Sequence, residues 1–323
     1  MTMTTKQLLA LALAMASLSL LPGCSAYEKL PPMQSMREDL SYPFAVKYVD
    51  LQDDVSIAYV DEGQGEKVLL FVHGLGSYLP AWTRNIEALK DDFRCIAIDL
   101  PGYGKSSKAP HSGQMTYYAD VVAEFIDSLG LGQVSMVGHS MGGQISMTLA
   151  LRHPSKVQRL VLAAPAGFER FHPGQKAWFR DVMSVRGVKL TPVEAIQNNL
   201  AHNFYNMPAE ADFMIRDRIA MRSASDFDNY CHAVVRSVHG MVDQAVIDKL
   251  GQIRQPTLIV FGENDNLIPN RYLNPGRTVE IAEYGQSQIQ GSQLVMIPKA
   301  GHFVQFEKAE IFNQSIRDFF SVQ

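Results

Sequence analysis

Short apolar runs recur along the chain, each closed by a glycine, a proline or a polar turn. They cover residues 67–72, 96–100, 134–137, 160–164, 256–261 and 294–298. Runs of this length with little polar alternation predict strands buried on both faces, as in a parallel sheet. Residues 167–250 show helical periodicity with few strand signals, so helices are expected between the fourth and fifth apolar runs.

The turns at the ends of these runs carry the chemistry. The run at 134–137 passes into Gly138-His139-Ser140-Met141-Gly142 and then Gly143. A strand turning sharply into a helix through small residues lifts the serine hydroxyl out of the sheet. A phosphate cradle would need Lys-Ser/Thr after the glycines, or GxGxxG with an acidic residue downstream, and neither occurs here. The run at 67–72 ends in His73-Gly74-Leu75-Gly76, whose backbone N–H groups can hold an oxyanion. Leu75 and Met141 are the candidate donors, and His73 is read as orienting the loop.

The run at 256–261 ends in Gly262-Glu263-Asn264-Asp265, and the run at 294–298 leads to Ala300-Gly301-His302-Phe303. A carboxylate at the carboxyl end of a parallel strand lies on the same edge as Ser140. Asp265 is therefore the candidate acid, with Glu263 and Asp243 weaker. Of nine histidines, His302 alone comes after a strand in the order serine, acid, histidine. His111, His153 and His172 sit beside prolines or in polar loops, and His202, His232 and His239 in helical segments. His139, inside the elbow, is expected to pack against neighbours or touch the pocket wall.

These motifs resemble the α/β-hydrolase fold, in its esterase/lipase group, over about residues 45–323. The stretch Ile96-Ala97-Ile98-Asp99-Leu100-Pro101-Gly102-Tyr103-Gly104-Lys105-Ser106 resembles the family's strand and turn before the elbow, and about Tyr117 to Leu129 resembles its helix there. The resemblance implies an α/β fold with a mostly parallel central sheet flanked by helices. Its core would be residues 45–166 and 251–323, with a helical cap at 167–250. Relatives that open epoxides or cleave carbon–halogen bonds carry aspartate at the elbow, where this chain has serine. Carbon–carbon bond hydrolases of the meta-cleavage type usually carry asparagine soon after the His-Gly-x-Gly loop, and this chain has Ser77-Tyr78-Leu79-Pro80 there.

The expected reaction is cleavage of a carboxylic ester through an acyl-enzyme on Ser140. His302 would move the proton, Asp265 orient it, and Leu75 and Met141 hold the oxyanion. Aromatic and methionine residues of the cap, among them Phe168, Phe179 and Met183, would partly line an apolar acyl pocket. His73, Gly74, His139, Phe168 and Phe303 are candidate substrate contacts. The alternatives are a meta-cleavage hydrolase, a cofactor-free perhydrolase or haloperoxidase, and a non-catalytic lipoprotein that keeps the fold as a scaffold.

Composition narrows the partners. A net charge of -4 shows no basic surplus, so nucleic acid is not an expected partner. No His/Cys cluster has metal-ligand spacing, and neither metal nor cofactor is expected. Oligomeric state is not legible in the sequence. Lys6 precedes the apolar residues 8–21, and Leu21-Pro22-Gly23-Cys24 closes them, the layout of a secretory signal. Its end resembles the bacterial lipoprotein box. That resemblance implies a signal at 1–23, an acylated Cys24, a tether at 24–44, and a lipid-anchored place in the cell envelope. By the same resemblance, Ser25 rather than aspartate after the cysteine implies the outer of two membranes. Cys95 and Cys231 are read as buried free thiols, and a small or lipid ester as the substrate.

Overall fold

The computed structural model describes residue 27 and residues 30–321. Its strands are β1 (Lys47–Asp50), β2 (Ser56–Glu62), β3 (Val68–Val72), β4 (Arg94–Ile98), β5 (Val134–His139), β6 (Val157–Ala163), β7 (Thr257–Gly262) and β8 (Gln293–Ile297). They form one sheet in the order β1-β2-β4-β3-β5-β6-β7-β8. The pairs β1/β2 and β2/β4 are antiparallel, and the rest are parallel. Every parallel strand except β8 is largely buried, which is why these segments read as apolar runs. The mostly exposed β1 has no such run and was not predicted.

From β3 the chain moves outward to β4 and then returns to the other side of β3 as β5. That reversal puts a topological switch point between the carboxyl ends of β3 and β5, where open α/β sheets bind their ligands. The helices before the cap are α1 (Met36–Asp39), α2 (Thr83–Leu89), α3 (Met115–Ser128) and α4 (Met141–Arg152). Between β6 and β7 come α5 (Pro173–Val182), α6 (Val185–Lys189), α7 (Val193–Ala201), α8 (Asp212–Ala220) and α9 (Phe227–Asp243). After β7 come α10 (Thr278–Gln288), α11 (Val304–Glu307) and α12 (Ala309–Ser321). The helix expected at 117–129 is α3. The helical content expected within 167–250 is α5 to α9.

The expected tether at 24–44 needs correction in its second half. Met36 and Leu40 are buried in the main core, because α1 presents its apolar side to the body. Ser223 Oγ accepts the N–H of Met33, and the carbonyl of Gln34 accepts the N–H of Ser225. Tyr42 donates its hydroxyl to Asp99 at 2.5 Å. A segment so anchored is a strap on the folded body. The expected signal at 1–23 and Cys24 lie outside the described residues. Among the described residues no helix is long and apolar enough to cross a membrane. Cys95 and Cys231 are free and buried, and burial pushes the Cys231 thiol up to about 11.

Candidate active site

Ser140 comes directly after the last residue of β5 at φ 53° and ψ -117°, a left-handed conformation that costs a non-glycine residue about 1–3 kcal/mol. Its neighbours hold it there. The Ser140 N–H donates to Ala163 of β6, and the Ser140 carbonyl accepts from Ala166 and Gly143. A methyl on Gly142 would sit 2.1 Å from the Val72 carbonyl oxygen, and one on Gly138 would sit 2.4 Å from the Gly142 oxygen. The elbow therefore exists only because these positions lack side chains.

His302 lies in the loop after β8 and Asp265 in the loop after β7, and His302 Nδ1 donates to Asp265 Oδ2 at 2.8 Å. The other oxygen, Oδ1, accepts the N–H groups of Leu267 and Ile268. With its carboxylate so occupied, Asp265 fixes His302 as the Nδ1–H tautomer and leaves Nε2 free to accept a proton. Ser140 and His302 line the same cavity. Of the weaker acid candidates, Asp243 pairs with Arg180, and Glu263 is exposed.

Leu75 and Gly74 line that cavity beside Ser140. Met141 is the first residue of α4, so its N–H has no acceptor within the helix. Residues 74–79 are pinned at several points. His73 Nδ1 donates to the Gly74 carbonyl, and His73 Nε2 accepts the Leu100 N–H. Tyr230 donates to the Gly76 carbonyl, and Asp99 Oδ1 accepts the Leu79 N–H. Burial lowers the His73 pKa to about 4, so it stays neutral in this role.

Among the expected substrate contacts, Gly74, His139 and Phe303 line the cavity, while His73 and Phe168 do not. His73 is spent on the loop below. Phe168 is fully buried near Phe261 and against the close-approaching Gly285 of α10, where its ring fills core space. His139 donates from Nε2 to the His302 carbonyl and so steadies the loop that carries His302. Its pKa is driven well down by burial and by His302 beside it.

The cavity measures about 340 Å³, and Phe179, Met183, Val238 and Met241 from the cap form much of its wall. A second cavity of about 580 Å³ shares Leu75, Met183, Asn203, Leu267 and Phe303 with it. Three residues that the sequence did not single out contribute here. Gln144, one turn after Ser140, donates to the Met241 and Gln244 carbonyls and ties the elbow helix to α9. Its amide side chain one turn after the elbow serine was the available signal. Glu169 lines the first cavity, and Arg218 lines the second, stacked on Phe227 and Tyr230 with Nη1 buried and without a hydrogen-bond partner among the described residues.

The alpha/beta hydrolase fold family matches residues 67–309. A 2-hydroxy-6-oxononadienedioate/2-hydroxy-6-oxononatrienedioate hydrolase of Pseudomonas putida is 28% identical, covering 84% of this chain and 95% of that protein. The crystal structure of a probable hydrolytic enzyme from Pseudomonas aeruginosa PAO1 superposes with a TM-score of 0.79 at 26% identity, over 90% of this chain and 99% of that one. An esterase from Exiguobacterium antarcticum gives a TM-score of 0.71 at 25% identity, over 85% and 99%.

Proposed function

The chain belongs to the alpha/beta hydrolase fold family, and from that premise we propose that it is a serine hydrolase acting on carboxylic esters. The observation that carries the reading is the His302–Asp265 hydrogen bond of 2.8 Å at the cavity that also exposes Ser140. Ser140 attacks the ester carbonyl as His302 Nε2 takes its proton, and the N–H groups of Leu75 and Met141 receive the oxyanion. The alcohol leaves with that proton, and water repeats the sequence on the acyl-enzyme. The apolar wall supplied by the cap favours an acid portion that is hydrophobic. The likeness to the Exiguobacterium esterase supports the same choice.

Ser140→Ala tests the reading. The variant is expected to stay folded, to lose at least about 10⁴-fold in hydrolysis of p-nitrophenyl esters, and to escape labelling by a fluorophosphonate. Retained hydrolysis or labelling refutes it, and a parent protein that is never labelled would leave a binding scaffold.

Carbon–carbon bond cleavage is a second reading with an observation in its favour. The buried Nη1 of Arg218 lacks a partner in the second cavity, and a substrate carboxylate would supply one. The Pseudomonas putida relative is named for such an oxo-diacid. Turnover of an oxo-dienoate faster than any ester would decide for it. The proposal extends to the N-terminus, where an acylated Cys24 would anchor the protein in the envelope, favouring the outer membrane. Mass spectrometry of the mature N-terminus checks that part, and an unmodified Cys24 removes it.

A further inference from the structure

The cavity holding Ser140 is mostly apolar, yet one acidic side chain outside the Ser140, Asp265 and His302 group lies on its wall. Glu169, six residues after the end of β6, is buried. Its Oε1 accepts the Asn270 N–H at 2.7 Å and Asn274 Nδ2 at 3.1 Å. Both donors belong to the loop after β7 that carries Asp265. Among the described residues the carboxylate makes no ion pair with a lysine or arginine. The charges around it are already matched elsewhere. On the cavity side Asp265 and His302 are bound to one another. On the outer side, in a groove that Glu169 also borders, Arg170 pairs with Asp248 and Arg277 with Glu280. His172 and Tyr284 are the remaining titratable groups there. Burial raises the Glu169 pKa, and the two N–H donors oppose that rise.

We infer that Glu169 is a charge filter: the arm of the substrate that enters the Ser140 cavity is neutral or cationic, and acyl arms ending in a carboxylate are excluded. The physical reason is that a second anion inside this cavity would face a fixed carboxylate with little water to screen it, and with no lysine or arginine among the described lining residues to receive it. Arg218, the candidate anion partner, stands in the other cavity. The filter therefore sorts the two arms of a substrate by charge. This inference rests on the serine-hydrolase reading and adds a substrate class to it.

The test uses the full-length protein at about pH 8 and three p-nitrophenyl esters matched in length: the caproate, the half-ester of adipic acid and the ester of ε-aminocaproic acid. The parent is expected to prefer the neutral ester over the anionic one in kcat/KM by roughly tenfold or more, and to accept the cationic ester better than the anionic. Glu169→Gln, which keeps an acceptor for Asn270, should narrow the neutral-to-anionic ratio several-fold. Asn274→Ala, which removes a hydrogen bond and no charge, should leave the ratio as in the parent. Equal rejection of both charged esters would mean that apolarity alone does the sorting, and would overturn the filter even if E169Q failed to fold. An unchanged ratio in E169Q would overturn it as well. No turnover of any ester, with no fluorophosphonate labelling of the parent, would instead bring down the serine-hydrolase reading beneath it.

Discussion

A methyl group added to Gly142 in the core would lie 2.1 Å from a backbone oxygen of β3, whereas one added to Gly174 in the first cap helix would meet nothing within 4 Å. The same contrast holds between the core strands and α5. The strands around Ser140 are buried along their length, while α5 has no buried residue and exposes Trp178 and Val182. Chemistry in this molecule depends on positions fixed by close backbone packing, and α5, which brings Phe179 to the cavity wall, is packed far less tightly than the core or than α9, where Gly240 is as closely approached as Gly142. Substitutions in α5 can therefore change what is bound with little effect on the elbow, unlike substitutions in α9, which Gln144 and Tyr230 tie to the site.

The largest expected effect is on the tight side. Gly142→Ala forces either α4 or β3 to move, since the obstructing atom is backbone and cannot swing aside. A loss of about 3 kcal/mol or more in stability, with no measurable ester turnover, is expected in urea titrations and assays. Near-parental stability would mean that the elbow is not packed as tightly as β3 and α4 imply. Asp265→Asn comes next, because the amide reverses the donor that fixes the His302 tautomer. Turnover should fall by a factor on the order of 10²–10⁴ with little change in KM. Parental turnover would shift the acid role to another carboxylate.

How much of this was legible depended on whether a residue's role can be read from its strand. Ser140, Asp265 and Leu75 each come soon after a buried strand and His302 after the partly buried β8, so an apolar run with a polar turn behind it singled them out. Phe168 was misplaced as a cavity residue, since apolar content cannot say whether a ring faces a cavity or a neighbouring helix. The strap was misread because Pro31, Pro32 and Pro43 suggest an open tether. Met36 and Leu40, the residues that seat it, are too few to register as a pattern. Glu169 and Arg218 drew no notice because a single charge in a helical stretch usually faces water. Only the folded chain shows which cavity wall each one joins.

The strap and the loop beneath Ser140 extend the comparison to stability. Met36→Ala empties a fully buried site at the edge of the core, at an expected cost of about 2–5 kcal/mol. A free-energy loss below about 1 kcal/mol in urea would return this segment to a tether. His73 adds a pH dependence. Its folded pKa of about 4 lies below the ordinary value of 6.5, so the unfolded chain binds the extra proton first. Stability from this group is complete above about pH 6.5 and is lost as the pH falls toward 4, by about 3 kcal/mol in all. His73→Asn should flatten that part of the curve in urea titrations at a series of pH values. An unflattened acid limb would assign it to other groups, such as His139.

The smallest effect is expected at Gly174, and it separates two ways in which the cap could be loose. Alanine is the better helix former by up to roughly 1 kcal/mol in a helix interior, and at the second residue of α5 only part of that is available. The new methyl touches nothing, so the gain stays within α5. If the cap opens as a unit of its own, Gly174→Ala should raise hydrogen-exchange protection along α5 while the Tm of the whole protein stays where it was. A Tm that rises together with protection would show cap and core unfolding as one. A Tm that falls would show packing at Gly174 that α5 does not display, and the contrast between the two regions would fail at the cap.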